Sequence, residues 1–343
     1  MADQQQTKVL LFGLGAIGGF YAFILGQNPN VSLSVVARSN YDSVKANVRD
    51  AGRRSGLTFE LADRVQGLLI ESQNHGNHKV EIDQVLKSPA DSTTKFDYIV
   101  CAHKAVNPDK VPPILKPVVG DNTTFVIIQN GVGNEEPFRH TYPNNTILSC
   151  VTWVGATQVS PGLIQHTKSE DMQMGLFPNP NVDHKLEKAK LDAFAAFLTK
   201  GNTVFQVEDN IQIKRWEKVV WNAAWNPLTT LTDVDTQTWL KSSPEATPMT
   251  KRLMREVIDV AKRCDVPIGY DLADSLVDKI LAMPGIYSSM HTDAKGGRPL
   301  EVEVILGYPM KKAREFEMDV PVLSAVYAMT MAVNGRLVAQ SKL

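Results

Sequence analysis

Short, nearly continuous apolar runs mark the first half of the chain. Runs of this kind are typical of parallel strands that are buried on both faces of a sheet. Between the first two runs, residues 19–25 predict an apolar helix. This alternation of strand and helix predicts an α/β fold with a Rossmann-type sheet. The predicted strands cover residues 8–12, 31–37, 96–102 and 124–128.

A glycine motif separates the first predicted strand from the first predicted helix. Glycines permit a tight turn and let backbone amides approach a pyrophosphate at the N-terminus of a helix. The motif has the strand, the helix and the second strand that a dinucleotide-binding unit requires. A glycine turn in another kind of α/β protein is the alternative. The residues that we predict to bind the cofactor here are Gly13, Leu14, Gly15, Ala16, Ile17 and Gly18.

Arg38 lies at the end of the second predicted strand, twenty residues after Gly18. Enzymes that prefer NAD usually place Asp or Glu there, which accepts a hydrogen bond from the ribose 2′-hydroxyl. A guanidinium instead suits a 2′-phosphate, through charge-assisted hydrogen bonds. We therefore predict NADP(H) rather than NAD(H) as the cofactor. A surface arginine without a partner is the alternative.

Two further polar residues follow predicted strands. Lys104 comes after the run 96–102, and Asn130 after the run 124–128. Ligands of a doubly wound sheet bind at the carboxyl ends of its strands. Lys104 is therefore a candidate for contact with the cofactor or substrate, and Asn130 for contact with the nicotinamide ribose or substrate. A solvated lysine and an asparagine that caps a turn are the alternatives.

The pattern of elements changes after Asp209, where strands stop and helices punctuated by prolines follow. We therefore predict a Rossmann-type dinucleotide-binding domain over residues 1–209 and an all-helical substrate and catalytic domain over residues 210–343. Within the first domain, further predicted strands cover residues 68–70, 147–154, 160–166, 172–176 and 203–207. Those from 147 to 176 are expected to extend the first sheet. Residues 74–78 predict a turn, and residues 184–200 an amphipathic helix.

Residues 214–227 predict a helix that is apolar on nearly every side. Beside its apolar faces this helix carries a narrow polar stripe of Lys218, Asn222 and Asn226, spaced four residues apart. A helix of this kind is buried, and a buried ammonium and amides are costly unless they find partners. We predict that the stripe faces a cleft where a ligand supplies those partners. The alternative, a solvated surface stripe, is disfavoured by the tryptophans at 216, 221 and 225.

The helical part of the chain offers two more polar pieces. Residues 286–293 predict a polar turn with hydroxyls and helix-start amides. A helix is predicted to begin near residue 298, with Pro299 close to its first position and Glu301 in its first turn. A carboxylate in that place also complements the helix dipole, which is the non-functional interpretation of Glu301.

The composition limits the classes of protein to which the chain can belong. The net charge is -1 over 343 residues, so we predict no binding to nucleic acid or to a charged membrane. The three cysteines are far apart, which predicts reduced thiols in a cytoplasmic protein. No apolar run reaches about 18 residues, so no membrane span is expected. His75 and His78 have no third candidate ligand beside them, which predicts a solvated loop rather than a metal site.

These residues together resemble the ketopantoate reductase (2-dehydropantoate 2-reductase) family, from the Gly13 motif to about Val326. The specific parts are the helix Lys218-x3-Asn222-x3-Asn226-Pro227-Leu228-Thr229 and the segment Ser288-Ser289-Met290-x2-Asp293, with Glu301 twelve residues after Ser289. The glycine motif, Lys104 and Asn130-Gly131-Val132-Gly133 also match, although the glycine motif is shared with other families.

The resemblance implies NADPH-dependent reduction of 2-dehydropantoate to pantoate by hydride transfer, a step of pantothenate biosynthesis. Lys218 would donate the proton to the ketone oxygen, with Glu301 beside it and the nicotinamide. Asn222 and Asn226 would bind the hydroxyl and carboxylate region of the substrate, and Ser289 its carboxylate. The residues implied to hold NADP are Arg38, Lys104 and Asn130.

One departure from the family concerns the substrate. Asp235 and Thr236 stand where the family commonly has an Asn-Gly pair that contributes to the pocket. The same scaffold also serves reductases of other branched or aromatic 2-oxo acids, so such a substrate stays an alternative. A catalytically silent NADP-binding sensor is a third hypothesis, which the complete set of family residues disfavours. A homodimer is a further expectation, and the substrate, the oligomeric state and the use of NADH stay open.

Overall fold

The computed structural model describes residues 6–45 and 67–341. The parts of the predicted domains that fall on residues 1–5, 46–66 and 342–343 lie outside the described residues. The chain divides into two compact units. Unit 1 comprises Met1–Lys104, Asp109–Gln129 and Glu135–Ile211, and unit 2 comprises Ala105–Pro108, Asn130–Asn134 and Gln212–Leu343. The domain boundary between residues 209 and 210 stays a prediction.

Unit 1 contains an eight-stranded sheet and a four-stranded sheet. Its strands in chain order are β1 (Thr7–Phe12), β2 (Val31–Val36), β3 (Leu69–Ser72), β4 (Gly76–Lys79), β5 (Gln84–Leu86), β6 (Phe96–Cys101), β7 (Val119–Ile127), β8 (Ile147–Thr152), β9 (Ala156–Ser160), β10 (Leu163–His166), β11 (Met172–Leu176) and β12 (Gln206–Val207). Its helices are α1 (Ala16–Gly26), α2 (Tyr41–Lys45), α3 (Val111–Ile114), α4 (Glu135–Thr141) and α5 (His184–Lys200).

The larger sheet has the order β12-β11-β8-β7-β6-β1-β2-β5. All neighbouring strands are parallel except β11, which runs antiparallel to β8. Because β1 lies between β2 and β6, the carboxyl ends of these three strands share one edge of the sheet. The predicted Rossmann-type α/β fold is confirmed, and so is the assignment of residues 147–154 and 172–176 to this sheet.

The prediction that residues 160–166 extend the first sheet is wrong. Strand β10 lies in the smaller sheet, of order β4-β3-β10-β9, parallel to β3 and antiparallel to β9. The physical reason is the burial of α1. Its residues from Gly18 to Leu25 are all buried, so the helix must pack against other elements on more than one side. The smaller sheet packs against one of these sides. Ile164 of β10 lies so close to α1 that a Cβ at Gly19 would be 2.5 Å from its Cγ1.

The predicted turn at residues 74–78 is only partly correct, because β4 begins at Gly76. The prediction of a solvated loop is wrong for His75, whose buried side chain places Nε2 2.9 Å from a carboxylate oxygen of Glu170. Within residues 6–45 and 67–341, no group of three or more His, Cys, Asp or Glu residues could hold a metal ion.

Unit 2 is built from helices around a common hydrophobic core. Its longest helix, α6, contains the predicted polar stripe, and its tryptophans at 216 and 225 are buried. The helices are α6 (Ile211–Thr232), α7 (Thr236–Lys241), α8 (Ala246–Arg263), α9 (Asp271–Leu281), α10 (Ser289–Lys295), α11 (Tyr308–Glu315) and α12 (Pro321–Gln340), and a π-helical turn, Glu303–Gly307, leads directly into α11. The predicted helical C-terminal part is thus confirmed.

The predicted helix start near Pro299 is wrong. The first helical residue is Val302, so Glu301 precedes the helix instead of lying in its first turn. The backbone N–H of Leu300 donates to Oδ1 of Asn334 in α12, 2.9 Å away, which holds the chain outside the helix at this point. Glu301 thus lies immediately before the helix, where a carboxylate still complements the helix dipole.

Helix α12 is long and apolar enough to cross a membrane by length and composition alone, and it is the one such helix in the described part of the chain. Core helices of soluble proteins meet the same criterion. The expectation that no segment spans a membrane stays a prediction.

Candidate functional site

Two of the three motif glycines are required by the fold of unit 1. Gly13 has a φ of +105°, and a Cβ there would lie 2.3 Å from the backbone nitrogen of His103. A Cβ at Gly18 would lie 1.9 Å from the carbonyl oxygen of Gly13. These contacts leave no space for a side chain. Both residues therefore shape the turn between β1 and α1, whatever it binds.

Gly15 differs from the other two glycines, because a Cβ there would meet no atom within 4 Å. Its φ of -90° is open to any residue, and it is exposed at the N-cap of the eleven-residue helix α1 without a side-chain cap. Nothing in the described protein explains a glycine at this position. A pyrophosphate that approaches the backbone does explain it, since the amides at the start of a helix favour anions. The turn therefore fits a dinucleotide.

The predicted cations of unit 1, Arg38 and Lys104, are both exposed. Arg38 follows β2, and two residues later the buried Asn40 donates from Nδ2 to the carbonyl oxygen of Leu14, 2.7 Å away. This bond ties the segment after β2 to the glycine turn. Asn40 was not predicted, and its only sequence signal is its position just after a predicted strand end.

His103 is a second unpredicted polar residue beside the glycine turn. It is buried, and Gln129 donates from Nε2 to its carbonyl oxygen at 2.8 Å. Burial, helped by the nearby positive charge of Arg38, lowers the pKa of His103 to about 4. The imidazole is therefore neutral at physiological pH and adds no positive charge to this edge of the sheet.

The polar stripe of α6 is largely removed from solvent. Asn222 and Asn226 are 6% and 4% exposed, and Lys218 is partly buried. The Nδ2 atom of Asn222 is buried without a hydrogen-bond partner among the described residues. Buried amides are almost always satisfied, so this donor is available to an acceptor oxygen of a ligand.

Lys218 carries an unusually acidic ammonium. Burial, helped by the positive charge of Arg215 and opposed by the negative charge of Glu301, lowers its pKa to about 7. A pKa near physiological pH lets an amine give up and regain a proton during a reaction. Lys218 is therefore suited to proton transfer.

Glu301 is buried, and two segments that follow strands of unit 1 in sequence supply its hydrogen bonds. The backbone N–H of Ala105 donates to Oε1 at 2.9 Å, and Nδ2 of Asn130 donates to Oε2 at 3.4 Å. Unit 2 thus brings together Asn130, Lys218 and Glu301, three of the predicted residues. Gly13 to Gly18, Arg38 and Lys104 belong to unit 1.

The two serines of the Ser-Ser-Met segment have different surroundings. Ser288 is buried, accepts from the backbone N–H of His291 at 3.1 Å and lies 2.8 Å from Oγ1 of Thr229 in α6. Ser289, the predicted substrate ligand, is exposed at the first position of α10. Ser288 therefore joins α6 to α10, while Ser289 is accessible to a ligand.

Three residues next to the candidate site were not predicted individually from the sequence. Thr229 and Ser288 were seen only as parts of a family motif, and Arg215 was not singled out. The signal for Arg215 was available, because a charged residue one turn before Lys218 lies among buried positions on the same helix.

Two family models match the chain. The model described as ketopantoate reductase PanE/ApbA matches residues 9–179, and the model of the C-terminal part of the same reductase matches residues 210–334. Together they leave only the chain ends and the segment between the two matches uncovered.

Similar proteins cover nearly the whole chain. A 2-dehydropantoate 2-reductase of a Nostoc species is 26% identical over 96% of this chain and 96% of its own. The crystal structure of 2-dehydropantoate 2-reductase from Methylococcus capsulatus is 29% identical, with a TM-score of 0.80 over 96% of this chain and 97% of that one. A ternary structure of D-mandelate dehydrogenase with NADH and anilino(oxo)acetate has a TM-score of 0.79 over 96% of this chain and 99% of its own, at 19% identity, which shows a shared fold alone.

Proposed function

Because the chain belongs to the ketopantoate reductase family, we propose that it catalyses the NADPH-dependent reduction of 2-dehydropantoate to pantoate, in pantothenate biosynthesis. The observation that carries this proposal is the stripe on α6, where a partly buried amine of low pKa precedes a buried amide donor that lacks a partner. A small substrate with a ketone and a carboxylate supplies acceptors for both groups.

The side chains of unit 2 carry the chemistry. The nicotinamide of the bound cofactor supplies the hydride. Lys218 donates a proton from Nζ to the ketone oxygen as negative charge develops there, and takes it back in the oxidative direction. Glu301 holds the ammonium charged until the proton is needed. Asn222 and Asn226 bind the hydroxyl and carboxylate region of the substrate, and Ser289 its carboxylate.

NADP(H) is the proposed cofactor. Support comes from Gly15, which leaves the start of α1 open to a pyrophosphate, and from Arg38, an exposed guanidinium after β2 where NAD enzymes usually have a carboxylate. Lys104 and Asn130 complete the proposed cofactor contacts. Arg38→Ala should weaken NADPH about tenfold or more and NADH little, since one charge-assisted hydrogen bond contributes about 1.5–3 kcal/mol. Equal loss of both cofactors in fluorescence titrations would remove Arg38 from the phosphate site.

A different 2-oxo acid is the second candidate substrate, and the segment around Asp235 favours it. Asp235 accepts from the backbone N–H groups of Gln237 and Thr238, and a Cβ at Gly285 would lie 2.2 Å from its Oδ1. Thr236 donates from its backbone to the carbonyl oxygen of Ile286 at 3.1 Å. The residues that replace the family's Asn-Gly pair are therefore engaged with the chain next to Ser288, where they alter the substrate side of the site.

The test is to follow the oxidation of NADPH, and separately NADH, with a panel of 2-oxo acids. The panel contains 2-dehydropantoate, smaller branched acids and aromatic acids such as benzoylformate. The highest kcat/KM with 2-dehydropantoate and NADPH supports the first proposal, and a preference for another member supports the second. No turnover with any acid, in a protein that still binds NADPH, identifies the catalytically silent sensor.

The proposed setting is the cytoplasm, with a small 2-oxo acid as the partner and neither nucleic acid nor membrane bound. The net charge of -1 and the three cysteine thiols, two of them buried, support this. A homodimer is proposed as well, and light scattering of the purified protein tests it.

A further inference from the structure

Arg215 is an almost fully buried charge in α6, with 1% of its surface exposed. A buried guanidinium is costly unless its N–H groups are hydrogen-bonded. Its Nη1 donates to the carbonyl oxygen of Gly131, 2.9 Å away. Arg215 is therefore integrated into unit 2, and its charge does not extend into solvent as most arginines do.

The acceptor of this bond is itself held in place. Gly131 has a φ of +94°, and a Cβ there would lie 2.5 Å from the carbonyl oxygen of Val304 in the π-helical turn. The next residue, Val132, donates from its backbone N–H to the same oxygen at 2.9 Å. Because its partner carbonyl is fixed by packing and hydrogen bonding, the guanidinium has a defined position.

That position puts two positive charges on one side of α6. Arg215 precedes Lys218 by three residues, so the two side chains are neighbours on the helix surface. Glu301 supplies the opposing negative charge and is oriented by Ala105 and Asn130. The other charged residues of this turn, Lys214 and Glu217, pair with each other at 3.1 Å on the partly exposed side.

We propose that Arg215 is a positioning residue whose fixed, buried charge makes the Lys218 ammonium release its proton readily. Like charges in a poorly solvated place repel strongly, and deprotonation of Lys218 relieves that repulsion. The effect of the Arg215 charge on Lys218 does not depend on the proposed function. Only the transfer of the Lys218 proton to a ketone oxygen rests on that function. Burial and the Arg215 charge act in the same direction on the Lys218 pKa, and Glu301 acts against them.

The test measures the titration of Lys218 without any substrate. Brief acetylation with acetic anhydride at a series of pH values, followed by mass spectrometry of the Lys218 peptide, gives the midpoint at which the amine becomes reactive. In the parent protein we expect a midpoint of about 7. Arg215→Gln removes the charge and should raise the midpoint by about one pH unit or more. Arg215→Lys keeps the charge and should leave the midpoint near the parent value.

Arg139→Gln is the matched control. Arg139 is another arginine that donates to backbone carbonyls, those of Asn145 and Phe177, each at 2.8 Å, but its charge is not among those that shift the Lys218 pKa. Its loss should leave the Lys218 midpoint unchanged. A folded Arg215→Gln protein with the parent midpoint would overturn the proposal, and so would an equal rise in Arg215→Lys.

Arg215→Met covers the case in which Arg215→Gln does not fold, because an apolar chain of similar length removes the charge without burying a new polar group. The same outcomes apply to it. Since acetylation needs no turnover, a protein that reduced none of the tested 2-oxo acids would overturn the proposed function while the midpoints still decided the role of Arg215.

Discussion

The two units present their functional groups in opposite ways. In unit 1 the candidate cofactor site consists of an open backbone at Gly15 and the exposed cations Arg38 and Lys104. In unit 2 the candidate chemistry depends on groups held away from water, with Asn222 and Glu301 buried and Lys218 partly so. A polyanion arriving from solvent needs accessible amides and charges, whereas proton transfer needs an amine whose charged form is disfavoured.

This difference determines how far fold and function can be separated by mutation. In the glycine turn, Gly13 and Gly18 support the fold, and Gly15 is free of that demand. In unit 2, Glu301 and Arg215 make hydrogen bonds inside the protein and also contribute charges near Lys218. We therefore expect substitutions at the open positions of unit 1 to weaken cofactor binding without changing stability. Most substitutions in unit 2 should change both stability and activity.

The largest effect is expected from Lys218→Ala. Loss of a general acid lowers turnover by about 10²-fold or more. The affinity for NADPH should be retained, because Lys218 is not among the proposed cofactor contacts. Steady-state oxidation of NADPH with the accepted 2-oxo acid gives kcat, and fluorescence titration gives the cofactor Kd.

Lys214→Ala is the control for this change. Lys214 is on the same helix, is partly exposed and pairs with Glu217, so its loss should leave kcat within about twofold, as for most surface substitutions. Equal turnover in the Lys218→Ala and parent proteins would exclude Lys218 as the proton donor.

Gly15→Ala and Gly18→Ala form the second prediction. A methyl group at Gly15 meets no other atom of the protein and extends into the space where we propose that the cofactor binds. The NADPH Kd should therefore rise about tenfold or more, the cost of one weakened charge-assisted bond, with no change in melting temperature. A methyl group at Gly18 meets the Gly13 carbonyl and should lower the free energy of unfolding by about 1–3 kcal/mol. Calorimetry and cofactor titration separate the two. Destabilisation by Gly15→Ala would contradict the assignment of that glycine to the cofactor.

The third prediction concerns Glu301→Gln and pH. In the proposed mechanism reduction needs the protonated amine, so kcat/KM should fall as pH rises through the Lys218 pKa of about 7. Removal of the Glu301 charge destabilises the ammonium and lowers that pKa, by up to about one unit. The pH profile of kcat/KM for reduction should therefore break at lower pH, and the profile for oxidation should begin to rise at lower pH. A break that moves upward would show that Glu301 acts otherwise than by its charge.

The sequence was most informative where one helix or one turn determines the result. The periodicity of residues 214–227 was sufficient to predict α6 and its polar stripe, because a pattern within one helix needs no knowledge of its neighbours. The glycine spacing likewise identified the turn between β1 and α1. For the site residues themselves, the assigned roles stay predictions.

The errors arose where a distant partner decides the structure. Nothing in residues 160–166 reveals that β10 pairs with β3 in a second sheet. Pro299 suggested a helix start that the contact of Leu300 with Asn334 prevents. The buried guanidinium of Arg215 donates to the carbonyl oxygen of Gly131, which is 84 positions away. Such contacts depend on tertiary packing, which local propensity does not encode.

The smallest effect, in stability alone, is expected at Ser288 and serves to distinguish it from Ser289. Ser288→Ala removes the cap on the His291 amide and the bond to Thr229, which should lower the free energy of unfolding by about 1 kcal/mol. Thr229 keeps a partner in the carbonyl oxygen of Trp225 at 2.8 Å, so no buried hydroxyl is left unsatisfied. Ser289→Ala changes an exposed residue and should leave stability within about 0.5 kcal/mol while KM rises. Chemical denaturation of both variants gives the free energy of unfolding, and steady-state kinetics gives KM. A stability loss in Ser289→Ala with none in Ser288→Ala would reverse the two roles.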